Sequence, residues 1–275
     1  MGEIILKPKI AFKVPIIAET ITPDSFAGKS IKEIEDLEAW EGNKKTTLGK
    51  LFEITGTPGE TVKDTKIIIE GNVKKVKKIG YKMTDGEIII KGSVGMYLGE
   101  EMKGGKITVE GDADSWVGTR MKGGQIEVKG NAGDYIGASY RGDTKGMKKG
   151  TIIIHGNAGN ELGCWMRGGT IIVKGSAGLF PGIHMKKGTI LIEGDCAGRC
   201  GAMMKGGKIA VLGYVPSILP SFTFEEIKKS FKVKGEKIKG PFYVFTGDLN
   251  ENGTGRLHVS VDKNKHLQFY EKFLE

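Results

Sequence analysis

Asp112, Asp114 and Asp134 fall close to Trp116 and Tyr135, and paired carboxylates beside aromatic rings are the equipment of enzymes that cleave glycosidic bonds. The same carboxylates have a plainer use. Asp112 belongs to the series Asn72, Ser93, Asp112, Asn131, Asn157, Ser176 and Asp195, residue types that accept hydrogen bonds from turn backbones. Cys164, Cys196 and Cys200 are sparse and odd in number, which argues against a disulfide framework. They also sit too far apart in the chain's repeat for the ~2.3 Å bonds of a tetrahedral metal site. His155 and His184 occupy unrelated positions, and His258 and His266 belong to the tail. Gly28-Lys29-Ser30 resembles the end of a phosphate-binding loop, but Pro23 stands where that loop needs its first glycine. Met102, Met121, Met147, Met166, Met185 and Met204 could offer thioethers to a soft metal, although a buried ladder is the plainer reading. No catalytic, cofactor-binding or metal-binding residue is therefore assigned.

Two further series bear on binding rather than reaction. Directly after the methionines come Lys103, Lys122, Lys148, Arg167, Lys186 and Lys205, which stacks like charges on one another and is destabilising unless something offsets it. Either the stems fan into water and blunt self-association, or an acidic partner docks there. Tyr97, Trp116, Tyr135 and Phe180 each precede an apolar residue, so alternation turns them outward as an interface stripe, unless the turns tuck the rings over the chain. A third series, Glu70, Lys91, Glu110, Lys129, His155, Lys174 and Glu193, alternates in sign along much of its length and reads as a stabilising ladder.

The elements that position these series are set by a repeat. Gly71 and then Gly92, Gly111, Gly130, Gly156, Gly175, Gly194 and Gly213 each close an Ile-x-Val/Ile strand, at spacings of 21, 19, 19, 26, 19, 19 and 19. The longer interval holds seven extra residues, in the polar stretch 141–147. Four or five glycines per unit would cost a helix up to ~1 kcal/mol each, and the apolar residues alternate with period two, so the units are strands and turns. A fixed period near 20 residues then predicts an all-β, single-stranded right-handed parallel β-helix of about seven or eight coils, a solenoid with mixed α/β caps at its ends. The expected organisation is a capping segment over 1–62, the repeat over 63–213 and an α/β capping segment over 214–275. Within the caps, Ser30-Ile31-Lys32-Glu33 reads as a capping box opening a helix with Ile34, Leu37 and Trp40, and Thr223-Phe224-Glu225-Glu226 as the start of another through about Phe231.

Composition bounds the rest. The chain has 275 residues with 44 glycines but only 8 prolines and no Gly-X-Y period, which excludes collagen. A hydrophobic fraction of 39% with a net charge of +9 is globular, and the charge is modest for a phosphate-binding surface, so no nucleic acid is expected. No apolar run is long enough to span a membrane and the first residues lack a signal-peptide pattern, which together with the free cysteines leads to the expectation of a cytoplasmic protein.

The motif Gly-x-x-Met-x-x-Gly-x-Ile-x-Val-x-Gly recurs between flanks such as Ala18-Glu19-Thr20-Ile21-Thr22-Pro23-Asp24 and Leu48-Gly49-Lys50-Leu51-Phe52-Glu53-Ile54. Over nearly the whole chain this resembles the C-subunit of formylmethanofuran dehydrogenase. Over the repeat alone it is similar to the glycine-rich β-helical domain of glutamate synthase and to the C-subunit of the formyltransferase/hydrolase complex of methylotrophs. The resemblance implies membership in an archaeal enzyme of methanogenesis that reduces CO2 with reduced ferredoxin and condenses the product with methanofuran to N-formylmethanofuran. It further implies a tungsten or molybdenum pterin and iron–sulfur clusters in pterin-binding and ferredoxin-like partner subunits, and a dinuclear metal site in an amidohydrolase-like one. This chain, lacking those ligands, would be a non-catalytic scaffold, with a glutamate synthase-type module or the formyltransferase/hydrolase component as the alternatives.

Overall fold

In a computed structural model, which describes residues 2–273, the Ile-x-Val/Ile segments form short strands paired in parallel. Ile67, Ile88, Ile107, Ile126, Ile152, Ile171, Ile190 and Ile209 face one another across successive strands. Ile69, Ile90, Val109, Val128, Ile154, Val173, Ile192 and Val211 form the neighbouring row in the same register. All sixteen are fully buried, because period-two alternation sends both apolar positions of each strand to the same side. Met83, Met102, Met121, Met147, Met166 and Met185 fill that core too and, at its far end, Met204, with no exposure. On a second side of the units, Val73, Val94, Ala113, Ala132, Ala158 and Ala177 are joined only by isolated parallel bridges, where small side chains let the backbones approach.

These strands are the middle of a larger sheet, and that corrects the fold class expected from the repeat. The fold is mostly β and rests on one open, mixed sheet of thirteen strands, beside a two-stranded and a four-stranded sheet and a few short helices, rather than a single-stranded right-handed parallel β-helix with α/β caps. The physical reason lies at the two ends. Gly2–Pro8 pairs in parallel with Thr65–Ile69 and carries Phe52–Thr57 antiparallel on its other edge. Gly255–Ser260 pairs in parallel with Lys208–Val211 and is followed outward by the antiparallel strands Glu236–Gly247 and Thr223–Val233. The flanks thus extend the hydrogen-bonded ladder as well as packing side chains onto it.

Two local expectations change with it. The capping box at Ser30 and Glu33 is formed, but its helix is only Ile31–Glu35, and Trp40 lies in the strand Glu38–Glu41. Thr223–Val233 is a strand, not a helix. Its hairpin partner Glu236–Gly247 turns Phe242 inward, and Phe231, Val233 and Phe242 bury themselves on Leu191 and Ala210, residues on the outer face of the parallel strands. Burying that second apolar face outweighs the local helix-start signal of Thr223 and Glu226.

Candidate functional site

The turns after each strand are built from the Asp, Asn and Ser series. The Asp112 carboxylate accepts from the backbone N–H of Asn131 at 2.8 Å, the Asn131 side-chain carbonyl from Asn157 at 2.8 Å, and Asp195 from Tyr214 at 2.7 Å. A parallel series runs from Ser115, which accepts from the Asp134 N–H at 3.1 Å, to Asp134, which accepts from Asn160 at 2.6 Å. Asp114 accepts from the N–H of Ser115 at 2.6 Å. All three carboxylates that could have served glycosidic chemistry are engaged with backbone donors. The closing glycines have a steric basis in the same turns: a Cβ on Gly130 would lie 2.3 Å from Asp112 Oδ1, and one on Gly213 2.4 Å from Asp195 Oδ1. Gly92, Gly111, Gly156, Gly175 and Gly194 are likewise crowded by the preceding unit, and none of the seven has a positive φ.

A different turn carries the aromatic series. Leu98-Gly99, Val117-Gly118 and their equivalents form a tight corner whose flanking residues are left-handed although they are not glycine. Tyr97, Trp116, Tyr135, Glu161, Phe180 and Arg199 have φ between 55° and 63° apart from Trp116 at 71°, and Glu101, Arg120, Trp165, His184 and Met203, four positions on, have φ between 55° and 58°. Bulky side chains in that region cost on the order of 1 kcal/mol or more each, so the edge is strained along its length. Such strain concentrates at functional surfaces.

On this edge the rings of Trp116 and Tyr135 stack at 4.3 Å and 14°, and Tyr97 lies 5.7 Å from Trp116. Trp116 is nearly buried, so the stripe is partly outward and partly tucked. Phe180 stands apart with Arg199 over its face, because Glu161 interrupts the series. Trp165 and His184 form a second stack at 4.1 Å and 7°. A cavity of about 370 Å³ is lined by residues of both stacks, by Tyr140 and Arg141 where the seven-residue insertion begins, and by Cys164. The Arg141 guanidinium donates to Tyr135 Oη at 3.0 Å, and Tyr135 donates in turn to Glu161 at 3.4 Å. Tyr140 donates to the Glu100 carboxylate, whose second oxygen has no hydrogen-bond partner among the described residues and lies 3.8 Å from Lys78 Nζ. Burial pushes the Glu100 carboxyl above its ordinary range, with Lys78 opposing. Burial also lowers His184 and raises the Cys164 thiol to about 12, which disfavours its thiolate.

The basic series is mostly exposed but not uniform. Lys122 pairs with Glu101 at 2.6 Å, which holds that carboxyl below its usual range, and Lys205 pairs with Glu251 at 3.3 Å. Lys186 lies over the Trp165 ring at 5.4 Å. Arg167 is half-buried, whereas Lys103 and Lys148 are exposed. The alternating series is paired in two places only as expected, Lys91 with Glu70 and Lys174 with Glu193, while Lys129 turns to Glu127 on its own strand. The residues missed from the sequence are Tyr140, Arg141, Glu161, Trp165 and His184. Of these only His184 lies four residues after a member of the aromatic series, Phe180, while Trp165 follows Glu161 and carries no such signal.

Among the described residues no group of three or more His, Cys, Asp or Glu is placed to hold a metal ion. The residues present do not fit a tungsten or molybdenum centre or an iron–sulfur cluster, and no step through such a group is derived for this chain.

Known proteins carry the same pattern. The GXGXG motif family matches residues 61–219. The chain is 62% identical over 269 residues, spanning 98% of it and all of the relative, to the C-subunit of the tungsten-containing formylmethanofuran dehydrogenase 2 of Methanothermobacter thermautotrophicus. It is 57% identical over 274 residues to the corresponding tungsten-containing protein of Methanococcus maripaludis, spanning 97% of this chain and all of the relative. With the C-subunit of the molybdenum-containing formylmethanofuran dehydrogenase 1 of Methanosarcina barkeri it shares 46% identity over 98 residues, 36% of this chain and 33% of the relative. A chain of the crystal structure of the formyltransferase/hydrolase complex from Methylorubrum extorquens, in complex with methylofuran, superposes with a TM-score of 0.82 at 28% identity, covering 93% of this chain and 99% of that one.

Proposed function

The chain belongs to the GXGXG motif family and within it to the C-subunits of formylmethanofuran dehydrogenase, and from that premise we propose that it is the non-catalytic component that holds catalytic partners in fixed relation. The observation that carries this reading is the fate of the candidate carboxylates: Asp112, Asp114 and Asp134 are all engaged with backbone N–H groups inside turns. What remains available is surface, namely the strained aromatic edge around Trp116, Tyr135 and Trp165, and the exposed lysines 103, 148 and 186. The reaction of the assembly, reduction of CO2 and its condensation with methanofuran, is then carried by pterin-binding, ferredoxin-like and amidohydrolase-like subunits. Full-length likeness to the tungsten-containing relatives, against a third of the chain for the molybdenum-containing one, favours the tungsten form. The chain purified alone should show neither dehydrogenase nor amidohydrolase turnover, yet restore activity to partner subunits assembled without it. Turnover by the isolated chain would overturn the proposal.

A formyltransferase/hydrolase role is the second reading, supported by the superposition on a chain of that complex. Co-purification separates the two, since a pterin-containing partner and a formyltransferase are different proteins.

A further inference from the structure

In the five units from Val94 onward the small position and the corner position four residues later are both apolar: Val94 with Leu98, Ala113 with Val117, Ala132 with Ile136, Ala158 with Leu162 and Ala177 with Pro181. In the next unit both become cysteine at once, Cys196 and Cys200. Packing alone asks for neither, since alanine and proline fill these places one unit earlier. The two Sγ atoms lie 3.0 Å apart and both residues are buried, at 2% and 3% exposure. That separation suits a thiol hydrogen bond and leaves about 1 Å of travel to a disulfide of ~2.05 Å. A shared metal ion fits poorly, because two thiolates on one zinc at ~2.3 Å each stand wider apart than this.

The surroundings distinguish the two sulfurs. Cys196 Sγ accepts from the Gly198 N–H at 3.4 Å, so it has a backbone donor as well as its partner thiol to support a thiolate. Cys200 sits in the apolar corner column beside Gly201, where the Cys196 hydrogen bond and burial outweigh its own backbone N–H. These contacts favour Cys196 as the thiolate, the direction in which its pKa is drawn by the Cys200 hydrogen bond, while that of Cys200 is driven up. Cys164 lies away from the pair and is left out of it.

We propose that Cys196 and Cys200 form a reversible dithiol–disulfide site, closed by hydrogen peroxide and reopened by a dithiol reductant. The Cys196 thiolate attacks the distal peroxide oxygen, the O–O bond breaks, and Cys196 becomes a sulfenic acid with release of water once the leaving oxygen takes up a proton. Cys200 then displaces the sulfenic hydroxyl as a second water and the S–S bond forms. Overall two thiols lose two hydrogens and one peroxide becomes two waters. The bond staples the corner 196–200 next to the strand Cys196–Gly198, where the last parallel unit hands over to the C-terminal strands.

The full chain is treated with hydrogen peroxide while folded, quenched with N-ethylmaleimide in denaturant and digested with trypsin. Arg199 lies between the two cysteines, so cleavage there leaves two peptides that stay joined only through the disulfide. The expected result is that joined pair, two hydrogens lighter than the separate thiols and parted by dithiothreitol, with Cys164 alkylated. In Cys200→Ala, dimedone should label Cys196, whereas in Cys196→Ala it should label neither position. Both cysteines alkylated after peroxide, under conditions that join them in the denatured chain, would overturn the proposal. So would pairing of either with Cys164, or dimedone labelling at Cys200 in Cys196→Ala.

Discussion

The two long sides of each repeated unit follow opposite rules. On the strand side, Ile, Val and Met recur with no exposure, and the only chemistry is packing. On the corner side, the Leu-Gly, Val-Gly or Pro-Gly pair is kept while its left-handed neighbours vary among Tyr, Trp, Glu, Phe, Arg and His. The strand side repeats because every unit must present the same shape to the units above and below it. The corner side varies where the chain already bears strain, and there the insertion, the cavity and the buried carboxylate of Glu100 collect. The core makes the ladder, and the corners make the surface by which this member differs from a generic stack.

Removing a buried strand-side residue should have the largest effect. Ile126→Ala deletes a fully buried side chain between Ile107 and Ile152, and is expected to cost about 2–5 kcal/mol in chemical denaturation. Tyr135→Ala, at a half-buried ring of the aromatic edge, should cost less of the fold and more of the assembly. If the two lose stability equally while complex yield is untouched, the contrast between the sides fails.

The C-terminal hairpin gives the next effect. His258 is buried against Phe231, its Nδ1 has no hydrogen-bond partner among the described residues, and burial aided by Lys208, Lys228 and Arg256 lowers its pKa to about 4. The unfolded histidine takes a proton near pH 6.5 and the folded one does not until about pH 4. Stability is therefore complete above about pH 6.5 and falls as the pH drops through that window, by about 3 kcal/mol in all. Denaturation midpoints measured across the window should show the fall, and His258→Phe should flatten it. An unchanged slope in that variant would place the titrating group elsewhere.

Smaller still is the effect of the turn ladder. Asp134→Ala removes the acceptor for the Asn160 N–H and should cost about 1 kcal/mol, whereas Asp134→Asn keeps an acceptor and should cost little. Equal losses in both would mean that the charge, not the hydrogen bond, is what the turn uses. At the basic edge, Lys103→Glu, Lys148→Glu and Lys186→Glu together should leave the melting temperature nearly unchanged, because these side chains reach solvent, and should weaken co-purification of partners in a salt-dependent manner.

The strand side was legible because nineteen-residue spacing and period-two alternation coincide there: Ile107, Ile126 and Met121 could be placed from the sequence. The carboxylate turns were legible for the same reason. The sheet as a whole was not. Its outer strands come from flanks without a period, and in Thr223–Val233 two register shifts, at Phe224/Glu226 and Lys228/Ser230, blur the alternation that would have marked a strand. The cavity was hidden by sequence distance. Tyr140 reaches back forty residues to Glu100, and the Trp165–His184 stack depends on corner residues whose direction follows from a left-handed backbone rather than from any pattern of residue types.

Glu100 offers the finest test of the corner side. Its carboxyl is buried, accepts from Tyr140 and is raised above its ordinary pKa chiefly by desolvation, so the ionised form is disfavoured in the folded chain. A raised folded value means that the group's contribution is fully present below the unfolded carboxylate range and is lost as the pH rises through the folded pKa. Glu100→Gln keeps an acceptor for Tyr140 and removes the charge, so at neutral pH it should be neutral to slightly stabilising, and the gain should vanish in acid. Lys78, relieved of one carboxylate, keeps Glu19 at 2.6 Å. A core position tolerates no such polar exchange, and a marked loss of stability at neutral pH would show that the Glu100 charge holds the insertion in place, making this corner part of the packed structure rather than a surface laid upon it.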